Sequence, residues 1–218
     1  MTYQEILHDH AVNVYIAQAD ASMEALGFTE HSFAHVGHVA QMAGDILQSL
    51  DYPARTVELA RIAGYLHDIG NIVNRVDHSQ SGAVMAFRIL DRMNFPPEEI
   101  ATIVTAIGNH DEGTGVPVNA VAAALIIADK SDVRRSRVRS KADINVDIHD
   151  RVNYAVTEAS LDIFPEEGQI LLSLSIDTQI SPVMEYFEIF MKRMILCRKA
   201  AQKLGCVFRL KINGQIVA

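Results

Sequence analysis

The stretch GYLHDIGN, residues 64–71, sets an imidazole and a carboxylate side by side at the end of an apolar helical pattern. Leu59, Ile62, Ala63 and Leu66 lead into it at helical spacing and aim His67-Asp68 at the interior. Adjacent helix residues diverge by about 100°. The pair can therefore converge only on something small and central, and a metal ion meets that need while offsetting the cost of a buried carboxylate. The blander alternative makes Asp68 a turn residue before Gly70. The dipeptide also occurs at His8-Asp9, His110-Asp111 and His149-Asp150. Nine His and fifteen Asp in 218 residues give about 0.6 such pairs by chance, so some of the four carry chemistry.

Outward from this stretch, residues 1–140 read as helices. One covers 10–26 and stops at Gly27. The next carries Val36, Val39, Ala40, Ala43, Ile46, Leu47 and Leu50 on one stripe. Asp51 as N-cap and Pro53 open the helix that ends in the His-Asp pair. Residues 78–93 form a fourth, Pro96-Pro97 opens a fifth, and 118–137 form a sixth. The tail differs. SLDIFPEEGQILLSLSID, residues 160–177, predicts two strands around a turn, with Ile170, Leu172, Leu174 and Ile176 alternating. A long helix at 182–204 follows, with Met184, Phe187, Met191 and Met194 as its expected core stripe. A last strand carries an Asn-Gly hairpin turn. The expected class is mainly α: an all-helical bundle at 1–145 with a small α+β appendage at 146–218, made of a strand hairpin, a long helix and a strand.

Composition narrows the function. Hydrophobic residues make up 49% and charged residues 21%, a globular balance. The longest apolar run, 120–128, is too short for a bilayer. No basic region followed by an apolar stretch opens the chain, so no secretory signal is expected and the setting is read as cytoplasmic. Two cysteines, Cys197 and Cys206, suit a reduced compartment and form no zinc-type cluster, so a metal must use His and carboxylates. A net charge of −8 argues against nucleic acid as a general partner.

The remaining candidates sit at element ends. His35 continues the core-facing stripe, and His31 lies four residues before it. His78 opens the fourth helix and His110 closes the fifth. Asp129 follows AVAAALIIA and is expected to be buried, with Lys130 pointing about 100° away along the helix. It needs a cation, either a metal or a distant Arg. His8-Asp9 reads as surface, and His149-Asp150 stays open between packing and function.

The ordered set His35, His67-Asp68, His78, His110 and Asp129 resembles the HD-domain metal-dependent phosphohydrolase superfamily. HVGHVA at His35, LHDIGN and LIIADKSD carry the likeness, over about residues 28–140. Four His and two Asp imply the dinuclear type. By that resemblance His35, His67, Asp68 and Asp129 hold one metal, while His78 and His110 hold a second, with Asp68 bridging. Asp111 and His31 are accessory candidates. HSQSGAVMAFRIL and AIGNHDEGTG resemble the cyclic di-GMP phosphodiesterases and the HD dinucleoside-tetraphosphate hydrolases. GVP in place of GYP, and the short step from His110 to Asp129, look more like the second group. The set also resembles the di-iron centre of HD-type oxygenases such as myo-inositol oxygenase. A metal- or nucleotide-binding sensor without turnover is a third reading.

The resemblance implies two divalent ions, drawn from Fe, Mn, Ni, Co or Zn with Mg as a weaker binder. It implies water attacking a phosphorylated, nucleotide-like small molecule, with Asp68 as the catalytic residue that positions the water. Six of the nineteen basic residues fall between Lys130 and Lys141. On a continuing helix, Lys130, Arg134 and Arg137 share a face and form a phosphate grip. A solvated basic helix end is the alternative. The tail helix is a candidate to cover the site or to form a homodimer.

Overall fold

The computed structural model describes residues 2–139 and 148–217. Nine α-helices and one four-stranded sheet are present among them. The order is α1 (Tyr3–His8), α2 (His10–Ala25), α3 (Phe33–Ser49), α4 (Ala54–Leu66), a 3-10 turn (Ile69–Ile72), α5 (His78–Arg92), α6 (Pro97–Gly108) and α7 (Ala120–Lys130). A second 3-10 turn (Arg135–Arg137), α8 (Ile148–Ala155), β1 (Val156–Phe164), β2 (Gln169–Ile176), α9 (Val183–Lys203), β3 (Val207–Ile212) and β4 (Gln215–Ile216) complete it. The fold is the expected helical bundle with a small α+β appendage. The expected boundary near 145 lies outside the described residues.

Helix α7 is the axis. Every residue from Val121 to Lys130 is buried, as befits a helix apolar on all sides. It packs against α3, α4, α6 and α9. The bundle also depends on close backbone approach at Gly64 on α4, where a Cβ would lie 2.6 Å from the Ala40 Cα of α3. That spacing brings the C-terminal end of α4 against the middle of α3.

In the appendage, β1 pairs antiparallel with β2, β2 parallel with β3, and β3 antiparallel with β4. Ile170, Leu172, Leu174 and Ile176 are buried, as their alternation predicts. Asn213 and Gly214 both have positive φ, 49° and 83°, the backbone of a tight hairpin turn.

Several local expectations are corrected. Helix α7 stops at Lys130 rather than 137, because the chain beyond it turns to bury Arg137 against Glu30 and Asp132. Asp51 is not an N-cap: it sits in the left-handed region at φ 57°, and Pro53 caps α4. Helices α1 and α8 are additional. Met184 and Met191 are exposed, and the buried stripe of α9 is Tyr186, Phe190, Met194, Cys197 and Ala201. Asp9, read as surface, caps α2 by accepting from the Val12 N–H at 2.9 Å.

Candidate metal centre

Five helix ends deliver polar side chains to one place. His35 lies in the first turn of α3, His67 caps α4, Asp68 follows it, His78 opens α5, His110 follows α6, and Asp129 closes α7. All six are buried. Short apolar helices that end in a polar residue carry that residue inward, since the apolar face fixes their rotation. Close packing holds the 3-10 turn against α5: a Cβ on Gly70 would lie 2.0 Å from the His78 carbonyl oxygen.

The imidazoles form a run of edge-to-face contacts. His31–His35, His35–His67, His67–His110 and His110–His78 have ring centroids 5.6, 5.2, 5.0 and 5.1 Å apart. Each ring is fixed from behind through Nδ1. His67 donates to Gly64 O at 2.7 Å, His110 to Ile107 O at 2.6 Å, His78 to Arg75 O at 3.1 Å and His31 to Thr29 O at 2.6 Å. His35 Nδ1 meets Asp132 Oδ2 at 2.7 Å. Carbonyl and carboxylate oxygens only accept, so Nδ1 carries a proton and Nε2 faces the centre, its lone pair available whenever the ring is neutral.

The carboxylates complete the set. Asp68 Oδ2 lies 3.5 Å from His35 Nε2, 3.3 Å from His67 Nε2 and 4.0 Å from His31 Nε2. Its other oxygen, Oδ1, lies 3.5 Å from His78 Nε2. Asp129 Oδ1 is 3.5 Å from His35 Nε2 and 3.7 Å from His67 Nε2. Two ligand groups result, His35–His67–Asp129 and His67–Asp68–His110, with ligand atoms within 4.8 Å of one another in each.

Does this set fit a metal? His35 Nε2 and His67 Nε2 are buried without a hydrogen-bond partner, and such orphans are rare and costly. His78 Nε2 and His110 Nε2 face each other across 3.2 Å, although both rings already donate through Nδ1. Burial lowers both imidazoles below their ordinary range, which disfavours an extra proton between them. Divalent cations held by these side chains would give the inward nitrogens their missing partners, so the residues fit.

Charge around the centre is paired tightly. Burial opposes ionisation of Asp68 and Asp129, yet His67 beside the first and Lys130 beside the second hold both well below the usual carboxylate range. Lys130 Nζ is 2.7 Å from Asp129 Oδ2, correcting the expectation that it points away; a four-carbon stem can fold back along its own helix. The same ammonium meets Glu112 Oε2 at 2.7 Å, and Arg193 Nε of α9 donates to Glu112 Oε1 at 3.0 Å.

Asp132 escaped the sequence reading. Its carboxylate is fully buried and is held by Arg134, whose Nη2 donates to Oδ2 at 3.0 Å. Burial raises it, but His35, Arg137 and Arg134 outweigh burial and hold it far below the usual range. The usable signal was its place three residues after Asp129.

A cavity of about 320 Å³ opens onto the centre. Asp68, His78, Asp129 and His31 face it from the bundle, His149 and Asn153 from α8, and Phe190 and Arg193 from α9. The appendage therefore helps to wall the site. Lys130 and Arg137 reach the cavity wall; Arg134 does not line it and turns to Asp132 instead. The shared helical face expected for these three does not form, because α7 has already ended. Lys141 lies outside the described residues. Asp111 is also away from the cavity lining, its carboxylate accepting from the Gly113 N–H at 3.1 Å within a turn. His31 lies before α3 rather than on it, yet borders the cavity.

The HD domain family model matches residues 32–154. An uncharacterized protein of Methanocaldococcus jannaschii is 26% identical over 64% of this chain, which spans 62% of that protein's length. The crystal structure of a predicted HD superfamily hydrolase from an uncultured Thermotogales bacterium is similar at 24% identity and a TM-score of 0.47, over 62% of this chain and 75% of the other.

Proposed function

From membership of the HD-domain family, a family of metal-dependent hydrolases to which this chain belongs across residues 32–154, we infer a phosphohydrolase with a dinuclear centre. Its substrate is a phosphoester or phosphoanhydride of a nucleotide-like small molecule. The observation that carries the reading is Asp68. One of its oxygens faces His35 and His67, and the other faces His78, which suits a carboxylate shared between two cations.

His35, His67, Asp68 and Asp129 would hold one ion, and His78, His110 and Asp68 the other. Divalent ions there supply Lewis acidity toward a phosphoryl oxygen and acidify water. Asp68 would position the attacking water. Asp132 keeps His35 in the tautomer that presents Nε2. The cavity wall carries Arg75, Lys130, Arg137 and Arg193, a setting that suits an anionic substrate. Phosphoryl transfer asks a protein mainly for positioning and charge stabilisation, and a rigid, buried histidine run supplies the first.

No helix among the described residues is long and apolar enough to cross a membrane. The test is metal analysis of anaerobically purified protein, followed by dinucleoside polyphosphates, cyclic dinucleotides and nucleoside monophosphates. Metal-dependent release of phosphate or a nucleotide is expected. Oxygen consumption by iron-loaded protein without phosphate release would overturn the reading in favour of an oxygenase. Tight nucleotide binding without turnover would make it a sensor.

A further inference from the structure

Three of the four cations on the cavity wall are committed to short contacts. Lys130 Nζ lies 2.7 Å from both Asp129 Oδ2 and Glu112 Oε2. Arg137 donates to Glu30 O at 2.9 and 3.1 Å and to Asp132 O at 3.0 Å. Arg193 donates to Glu112 Oε1 at 3.0 Å. Each is a strut between elements, and each would lose a partner by turning to a ligand.

Arg75 is different. It follows the His-Asp pair on the loop before α5, and its Nη1 makes long contacts alone: 3.3 Å to Asn71 Oδ1, 3.4 Å to His78 Nε2 and 4.0 Å to Asp68 Oδ1. Its Cζ sits 5.8 Å from the centroid of the Phe28 ring. Phe28 lies on the cavity lining and is 42% exposed. The Arg75 side chain keeps 26% of its own surface open. The Phe28 ring and the Asn71 amide both neighbour the guanidinium, within reach of the centre.

Its two inner neighbours, the His78 lone pair and Asp68 Oδ1, are the groups a cation in the centre would use. A guanidinium cannot share that lone pair with a metal ion, and two cations so close repel unless an anion lies between them. A phosphoryl group has the charge, the size and the paired oxygens that a guanidinium fork binds best. We infer that Arg75 is the substrate-binding residue that grips the phosphoryl group at the centre, with Phe28 and Asn71 fixing its plane. This rests on the phosphohydrolase reading and moves the grip from the basic stretch after Asp129 to the loop after the His-Asp pair.

The test measures binding of inorganic phosphate to manganese-loaded protein by calorimetry, for the wild type and for Arg75→Ala, Arg75→Met and Arg75→Lys. Metal content is measured beside it. Arg75→Met keeps the aliphatic packing on Phe28, should Arg75→Ala disturb the loop. We expect full metal content and phosphate binding weaker by about 10- to 100-fold in Ala and Met, with partial recovery in Lys. Unchanged phosphate affinity overturns the assignment. So does metal loss in both Ala and Met, which would make Arg75 a support for His78. A wild type that binds no phosphate also overturns it. Turnover of the wild type on the nucleotide panel reports separately on the phosphohydrolase reading.

Discussion

His35 and Asp132, 97 residues apart in sequence, meet at 2.7 Å on the side of the imidazole turned away from the centre. The carboxylate is sealed from solvent and braced by Arg134 and Arg137. It fixes which ring nitrogen carries the proton and where the other one points.

Replacing Asp132 with Asn keeps the volume and weakens the acceptor. Metal affinity should fall by about 10- to 100-fold, the usual cost of losing such an outer partner, while the fold persists. Chelator competition followed by elemental analysis reads this directly. Wild-type affinity in Asp132→Asn would remove Asp132 from the centre.

Asp68 touches both halves of the histidine run, whereas His78 touches one. Asp68→Ala should therefore empty the centre and abolish activity in a protein that stays folded. His78→Ala should lose only half the metal. Elemental analysis beside circular dichroism separates the two. Full metal content in Asp68→Ala would end the bridging assignment, and full content in His78→Ala would favour a mononuclear centre.

Gly70 lies where the 3-10 turn meets α5. A methyl group there would stand 2.0 Å from His78 O and 2.4 Å from Gly82 N, both rigid backbone. Gly70→Ala should cost about 3 kcal/mol or more, at the upper end of overpacking, and displace His78. Thermal denaturation checks the first part, and residual metal content the second. A variant as stable as the wild type would mean that α5 yields easily.

The proton on His67 predicts how metal uptake depends on pH. Burial lowers its imidazole, but Asp68 and Asp129 outweigh burial and raise it to about 10 with protein neighbours alone. A ligand nitrogen must be neutral, so metal binding below that pH releases a proton. Affinity should rise by up to about tenfold per pH unit from neutrality towards pH 10. In metal-free protein the sign reverses for stability. The raised value contributes fully below the ordinary His range near 6.5 and fades as the pH climbs through about 10. Competition titrations at several pH values test this, and a flat profile would contradict it.

The sequence by itself determined the helical order, the alternating β2 strand, the Asn-Gly turn and the gathering of polar residues at helix ends. These are local signals: an apolar stripe fixes which way a helix faces, and a His or Asp that ends it is carried inward. Only the tertiary structure decided what lies more than a turn away. The stretch after Asp129 has a helical charge pattern, but Arg137 finds Glu30 more than a hundred residues earlier, and the helix ends at Lys130. Lys130 folds back onto Asp129, and Arg193 of α9 reaches Glu112 beside His110. Asp132 and Arg75 stayed hidden for the same reason. Contacts between distant segments are set by how the packed helices cross, and that leaves no period in the chain to read.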